Sequence, residues 1–192
     1  MAESSSDERR DYYRINDRVG FNFTICVDED EVPSEANFAL EIPDEFQLIN
    51  HLIHIDMENS SLLHSIQDAS PDVSRYLKVI NSKIDALARH MVVTGLTDEI
   101  KTREVTLSAG GISFESSDPI SLDRILRTQM ILYPSCSGIL TYGKVVRCEP
   151  IKKGKDALYD IAMEYIRIHE TDRDALVRHV LQLQSTYLRQ KK

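Results

Sequence analysis

The hydrophobic residues of this chain change their spacing twice, and no other feature of the sequence constrains the fold as strongly. From Val19 to Ile42 they largely alternate with polar residues, and the alternation returns after residue 100, which is typical of β-strands. Between Asp44 and Val93 they recur every three or four residues, which is typical of amphipathic helices. The sequence therefore predicts a mainly β fold with a long helical insertion at about 44–94.

The strand-like segments lie on both sides of this insertion. The first is predicted to bury one face, made of Val19, Phe21, Phe23, Ile25 and Val27. A second, shorter strand is indicated by the alternation of Phe38, Leu40 and Ile42 before Pro43. After residue 100, runs rich in β-branched and aromatic residues predict about five more short strands, separated by glycines and prolines. Short strands at such close spacing favour an antiparallel barrel or a sandwich.

The last part of the insertion has the ends of a discrete helix. Ser70 fits an N-cap, Pro71 fits the first helical position, and Gly95 fits a helix end. Between them, six apolar residues have a heptad-like spacing: Val73, Leu77, Ile80, Ile84, Leu87 and Met91. Such a row either packs within its own domain or joins copies of the chain. The clean helix end favours self-association, without fixing the number of copies.

The chain is predicted to end in a helix at about 172–189. Thr171 followed by Asp172 and Asp174 is a helix start signal. One face of this helix carries apolar residues at heptad spacing, Leu176, Val180, Leu183 and Tyr187. That face is expected to lie on the barrel or to extend the contact between copies. Residues 1–8 are polar and are expected to be disordered, so that residues 9–192 form a single domain.

Composition and charge narrow the classes of function. The 192 residues are 42% hydrophobic and 28% charged, which is ordinary for a globular protein. A net charge of −8 argues against binding to long DNA or RNA, which relies on basic residues. Since neither a membrane-spanning stretch nor a signal peptide is recognisable, we expect a cytoplasmic protein without membrane contact. The widely spaced Cys26, Cys136 and Cys148 are expected to be small buried hydrophobes.

The sequence contains no recognisable catalytic motif. GxSxG, Walker and HExxH patterns are absent, so we expect neither an enzyme nor a cofactor. A metal site is the alternative, because His51, His54 and His64 lie in one segment and the first two have the spacing of one helical turn. His51 and His54, however, alternate with apolar residues, where a histidine is more often a hydrogen-bonded interface residue. We therefore expect no bound metal.

Two short motifs suit an anionic ligand. Arg10 and Arg14 lie just before the first strand, and two guanidinium groups at this spacing can enclose a doubly charged anion. Further on, Ser108 is followed by Gly110 and Gly111, a turn that offers a hydroxyl and open backbone N–H groups. Taken separately, the arginines are equally typical of a solvated basic tail, and the glycines of a simple turn.

Together, these motifs resemble those of the PilZ family of bacterial cyclic di-GMP receptors. Arg10 and Arg14 match its RxxxR motif, and Ser108 and Gly111 match its D/N-x-S-x-x-G motif, in which Thr106 replaces Asp or Asn. The segments GKVVRCEP and IAMEYIRIHETDRDALVRHVLQLQ resemble a further strand of this family, its last strand and its closing helix. The resemblance implies a six-stranded antiparallel β-barrel and a non-enzymatic receptor that binds cyclic di-GMP through these four matching residues. Further candidate contacts with the nucleotide are Arg9, Thr106 and Gly110.

The helical segment SPDVSRYLKVINSKIDALARHM resembles the insertion of an atypical, tetrameric PilZ group, whose helices assemble as a coiled coil. The resemblance therefore implies a homo-oligomer, either a dimer or a tetramer, and an unidentified downstream protein. We expect cyclic di-GMP to order the N-terminal arginine segment over the barrel and thereby to signal. The alternative is a scaffold that assembles through its helices and does not bind the nucleotide, since Thr106 offers a weaker hydrogen bond than Asp or Asn.

Overall fold

Six strands form a closed antiparallel barrel in the part of the chain that the computed structural model describes, residues 14–26, 32–95, 100–153 and 156–190. The strands are β1 (Ile15–Ile25), β2 (Lys101–Leu107), β3 (Gly111–Ser116), β4 (Ile125–Leu132), β5 (Ser137–Lys153) and β6 (Asp156–Ile168). Their order around the barrel is β1-β2-β3-β6-β5-β4, and every neighbouring pair is antiparallel. The predicted six-stranded barrel is confirmed.

The barrel encloses the main hydrophobic core, and the alternation in β1 supplies part of it. Val19 and Phe21 are fully buried, and the Phe21 ring centroid lies 4.8 Å from that of Phe114 in β3. Phe23 is partly buried against the same core. Ile25, which was predicted on this face, is 45% exposed because β1 ends there. The last residue of the predicted face, Val27, lies outside the described residues.

Helices occupy the predicted insertion and the segment just before it. They are α1 (Glu35–Phe38), α2 (Asp44–Glu58), α3 (Ser60–Ala69) and α4 (Pro71–Gly95), with a 3-10 turn at Ala39–Glu41. The short strand predicted at Phe38–Ile42 is wrong. Both edges of β1 are already paired, and a closed barrel offers no edge to another strand. Phe38 instead lies with its ring centroid 6.2 Å from that of Tyr142, and Leu40 is 83% exposed.

The helical insertion packs on the barrel through Phe46 of α2. This side chain is fully buried, and a Cβ atom at Gly138 of β5 would lie only 2.1 Å from its ring. Ile49 and Ala88 belong to the same apolar cluster, together with Cys136 at the end of the β4–β5 turn. Glycine at position 138 therefore allows α2 to lie directly on β5.

A polar contact reinforces this packing. The Asn50 amide of α2 donates to the Gly138 carbonyl oxygen (2.7 Å) and accepts from the Gly138 N–H group (3.1 Å). It also accepts from the Ser137 hydroxyl (3.1 Å) and donates to Asp172 Oδ1 (3.4 Å). One side chain of α2 thus contacts both β5 and the C-terminal helix.

That helix, α5 (Glu170–Gln190), packs on the barrel with the first half of its predicted apolar face. Leu176 and Val180 are buried in the barrel core, whereas Leu183 is half-buried and Tyr187 is exposed. His179 Nε2 lies 2.6 Å from Asp17 Oδ2 of β1. α5 is therefore anchored to β1 by a largely buried polar pair.

α4 has two unlike faces. Ser74 and Ala88 are buried, and the helix packs against α2 and α3. The heptad-spaced row is mostly exposed: Leu77 and Ile80 are half-buried, and Leu87 reaches 67% exposure. We call the six residues of this row the α4 seam: Val73, Leu77, Ile80, Ile84, Leu87 and Met91. Within the described part of a single chain, the seam is largely uncovered apolar surface.

Cys26 and Cys136 are buried as predicted, and Cys148 is half-buried against the barrel core. Among the helices described, none combines the length and the apolar composition that crossing a membrane would require.

Asp172 occupies an unfavourable position in this packing. Its side chain is 4% exposed, and its Oδ2 atom has no hydrogen-bond partner among the described residues. Burial raises the pKa of the Asp172 carboxyl from 3.8 to about 7. Between these two values the folded state holds a proton that the unfolded chain has released. The free energy of unfolding therefore falls as the pH rises through this window. Above about pH 7 the buried carboxyl is ionised, and the whole destabilisation by this residue is present.

We expect Asp172→Asn to remove this pH dependence, because the amide is neutral at every pH. The free energy of unfolding of the variant, relative to wild type, should rise by about 3 kcal/mol between pH 5 and pH 8. Urea unfolding followed by circular dichroism at the two pH values measures this difference. Asp174→Asn, at an exposed position of the same helix, is the matched control and should show no such change. An Asp172→Asn difference that is the same at both pH values would contradict the prediction.

Candidate functional site

A cleft of about 360 Å³ lies where the β2–β3 turn meets the start of β1 and the first turn of α5. Five of the candidate residues from the sequence line it: Arg14, Thr106, Ser108, Gly110 and Gly111. Arg9 and Arg10 lie outside the described residues. The structure thus brings the turn motif and the described arginine of the first motif into one cleft.

The pairing of β1 with β2 explains why the two motifs meet. Ile15 of β1 lies opposite Leu107 of β2, so Arg14, just before β1, stands beside Ser108, just after β2. The antiparallel register therefore makes neighbours of two motifs that are far apart in the sequence.

Ser108 shapes the turn between β2 and β3. Its Oγ atom accepts hydrogen bonds from the N–H groups of Gly110 (3.3 Å) and Gly111 (3.1 Å). It also donates to the Gly111 carbonyl oxygen (3.1 Å). The two N–H groups are therefore not open to a ligand in this conformation, contrary to the expectation from the sequence. The serine instead holds the turn in a fixed shape.

Strand β6 and helix α5 hold the same turn from outside. A Cβ atom at Gly111 would lie 2.3 Å from the Met163 carbonyl oxygen, so the close approach of β6 requires glycine there. The Tyr165 N–H group donates to the Gly110 carbonyl oxygen (2.9 Å). From α5, Arg173 Nη1 donates to the carbonyl oxygen of residue 109 (2.8 Å). The turn is thus a rigid part of the cleft.

Thr106 has a partner that the sequence analysis did not identify. Its hydroxyl donates to Asn16 Oδ1 over 2.7 Å, across the β1–β2 pair. An ionised Asp at position 106 would only accept hydrogen bonds, so the Asn16 amide would have to turn its NH₂ group towards it. Thr106 satisfies Asn16 without this rearrangement. The departure from the Asp or Asn of the motif is therefore accommodated within the barrel wall.

Arg14 and Arg173 are the cations that line the described part of the cleft. Neither forms an ion pair with a described residue, and Glu164 is the acidic residue beside them. From Val19 to Ser74 the chain has twelve acidic residues and no Lys or Arg, whereas the remainder carries 23 basic and 19 acidic residues, or +4. Both cations of the cleft come from this remainder, so the overall charge of −8 does not prevent local anion binding.

A second cavity of about 430 Å³ adjoins the cleft and shares Thr106 and Ser113 with it. Its charged lining is mostly acidic: Asp17, Glu104, Glu115 and Asp160, with Arg18 as the basic residue. Asp160 is paired with Arg147 and Asp17 with His179, but carboxylates still outnumber cations in this lining, which makes the cavity less favourable for an anion than the first cleft. An anionic ligand on this side of the barrel is therefore expected only in the first cleft.

Val146 gives the cleft an apolar side chain. A register shift between Val145 and Arg147 marks a β-bulge at Val146, which is exposed and lines the cleft. Tyr165, whose backbone N–H group donates to the turn, places its side chain in the barrel core, where its hydroxyl contacts Met130 Sδ at 4.0 Å. Cations beside the apolar side chain of Val146 suit a ligand that combines an anionic group with an aromatic ring.

The histidines of the metal alternative lie away from this cleft. His51 and His54 on α2 and His64 on α3 are exposed, and His54 Nε2 lies 3.1 Å from Glu58 Oε1. In the ranges that the structure describes, no three His, Cys, Asp or Glu side chains are grouped closely enough to hold a metal ion.

The fold is similar to that of a known PilZ-domain structure. A tetrameric PilZ-domain protein from Xanthomonas campestris, self-assembled through an unusual helical bundle, matches with a TM-score of 0.54 and 15% identity, over 93% of this chain and 89% of that one. The Bacillus subtilis inhibitor of motility MotI/DgrA matches with 25% identity and a TM-score of 0.39, over 46% of this chain and 44% of that one. The first similarity supports the fold, and the second is too limited to carry an argument. No curated protein matches the chain in sequence.

A family model provides the assignment. The model of the PilZ domain matches residues 75–182, which include most of α4, strands β2 to β6 and the first half of α5. Strand β1 and Arg14 precede the matched region. Because the match covers more than half of the 192 residues, the chain belongs to the PilZ family.

Proposed function

We propose that this chain is a non-enzymatic receptor for cyclic di-GMP, which binds in the cleft between β1, the β2–β3 turn and α5. The observation that carries the proposal is the convergence of Arg14 with the turn of Ser108, Gly110 and Gly111. Cyclic di-GMP has two phosphates and two guanine bases, so a receptor needs cations together with hydrogen-bonding or stacking groups. Arg14 supplies a cation by geometry, and Arg10 supplies another by its place in the motif.

The rigid turn supports this proposal even though its glycine N–H groups are occupied. Ser108, β6 and α5 hold the turn beside Arg14 before any ligand arrives. A surface that is already ordered loses little conformational entropy on binding. We assign Ser108 and Gly111 the role of shaping the cleft wall against which the nucleotide lies. Gly110, together with Arg9, which precedes Arg10 in the sequence, is proposed as a further contact.

Thr106 determines how strong the binding is expected to be. A hydrogen bond to a charged group contributes about 1.5–3 kcal/mol, and losing it weakens binding roughly ten- to a hundredfold. Thr106 forms a neutral hydrogen bond with Asn16 instead. We therefore expect weaker binding than an Asp at this position would support, in the micromolar range.

The proposed signal is the ordering of the N-terminal segment that carries Arg10 and Arg14. This segment joins β1 at Ile15, and β1 is anchored to α5 through the Asp17–His179 pair. A segment that orders over a bound nucleotide would therefore be attached to a strand that α5 holds in place. The new surface would then be recognised by a downstream protein.

Arg14→Ala should abolish detectable binding of cyclic di-GMP, because it removes the cation that stands beside the turn. Isothermal titration calorimetry on the full chain at near-physiological salt measures this loss. Arg18→Ala is the matched control, since Arg18 is an exposed arginine of the same region that lines the second cavity. We expect this control to bind like the wild type.

Two results would contradict the receptor proposal. Absence of heat from the wild-type protein up to high micromolar ligand would show that the cleft does not bind the nucleotide. Equal binding by Arg14→Ala and the wild type would show that the nucleotide binds elsewhere.

We also propose that copies of the chain associate through the α4 seam. The seam is a row of apolar side chains that a single chain leaves largely exposed, and such surface is normally covered in solution. The helical bundle of the similar Xanthomonas protein supports this proposal. If the cleft does not bind cyclic di-GMP, assembly through the seam is the remaining proposed function, because α4 is not among the elements that line the cleft.

Leu87→Asp should lower the oligomeric state, because it places a charge in the centre of an apolar contact. Leu87 is exposed in the single chain, so the substitution should not disturb the fold of the monomer. Size-exclusion chromatography with light scattering gives the mass, and Leu40→Asp, at an exposed leucine outside the seam, is the control. A monomeric wild type, or an unchanged mass in Leu87→Asp, would contradict the proposal.

A further inference from the structure

Arg173 lines the cleft, and no sequence motif pointed to it. It lies in the first turn of α5, which begins at Glu170, and its side chain is half-buried. Its Nη1 atom donates to the Ala109 carbonyl oxygen at 2.8 Å. The guanidinium group is thereby held against the turn between β2 and β3.

The surroundings of Arg173 leave its charge uncompensated. No described carboxylate forms an ion pair with it, although Glu164 lines the same cleft and Glu170 lies in the same helical turn. The first turn of a helix is the positive end of its dipole, where a cation is less stable than at the other end. The Ala109 carbonyl uses one of the five N–H donors of the guanidinium group. Arg173 therefore keeps donors and a full charge for an anion.

We propose that Arg173 binds one phosphate of the cyclic dinucleotide while Arg14 binds the other, an inference that rests on the proposed function of the cleft. Arg14 stands beside Ser108, and Arg173 contacts Ala109. The two arginines therefore approach one turn from different elements, β1 and α5. The phosphates of a cyclic dinucleotide lie on opposite sides of its ring, so two arginines on different parts of the fold can each bind one of them.

A purely structural role for Arg173 is the rival explanation, because its hydrogen bond to Ala109 also holds the turn. The two roles need different chemical properties. Holding the turn requires only an N–H donor, whereas binding a phosphate requires positive charge. Arg173→Gln lacks the charge and keeps an amide donor on a shorter side chain, and the thermal unfolding midpoint reports whether the turn is still held.

The test is calorimetric titration of cyclic di-GMP into the full chain carrying Arg173→Gln. We expect binding to weaken roughly ten- to a hundredfold while the thermal unfolding midpoint stays unchanged. The affinity of the wild type should fall as salt is added, and that of Arg173→Gln should depend less on salt. Arg173→Lys keeps the charge and should bind more tightly than Arg173→Gln. Arg178→Ala, at an exposed position of α5, is the matched control and should bind like the wild type.

The outcomes separate this inference from the function on which it rests. If the wild type and Arg173→Gln bind equally well, or with equal salt dependence, Arg173 only holds the turn and the inference is overturned. The same holds if Arg173→Lys binds no better than Arg173→Gln. In these cases binding through Arg14 is unaffected. If the wild type does not bind cyclic di-GMP, the proposed function fails and the inference fails with it.

Discussion

Closure of the barrel is the constraint on which the rest of the structure depends. Every described strand has a neighbouring strand on both sides, so neither the helical insertion nor α5 can join the sheet as a further strand. Both must attach through side chains. α2 does so by placing Phe46 on Gly138 and by hydrogen bonding of Asn50 to the same glycine, and α5 does so through the His179–Asp17 pair. The barrel thereby carries a cleft whose turn is held by Ser108, β6 and α5.

The first turn of α5 contacts two regions with different proposed roles. Arg173 donates to the turn that forms one wall of the cleft, whereas the preceding residue, Asp172, accepts from Asn50 of the helical insertion. The Asp172 carboxyl is buried, which raises its pKa, and its Oδ2 atom has no hydrogen-bond partner among the described residues. The cleft and the insertion therefore share a support, although the α4 seam lies on another element. This separation explains why cleft variants and seam variants are expected to act independently.

Local spacing of apolar residues was sufficient to predict most elements. Alternation identified the strands, and the three-to-four spacing identified α4 with its ends at Pro71 and Gly95. The same reasoning failed at Phe38–Ile42, where an alternating segment forms a helical turn instead of a strand. Whether such a segment joins a sheet depends on a free edge elsewhere in the molecule, and its own residues carry no information about that edge.

The candidate site was also predicted only in part from the sequence. The sequence by itself determined Arg14, Ser108 and Gly111 as candidates, because each belongs to a motif of a few neighbouring residues. Only the tertiary structure decided that Arg14 and the turn motif line one cleft, and that Arg173 lines it as well. It also decided that Ser108 accepts hydrogen bonds from the two glycine N–H groups and that Thr106 donates to Asn16. These contacts join distant parts of the chain, and their distances follow from strand register and from helix packing. Both result from burying the core of the whole molecule, which no short stretch of sequence specifies.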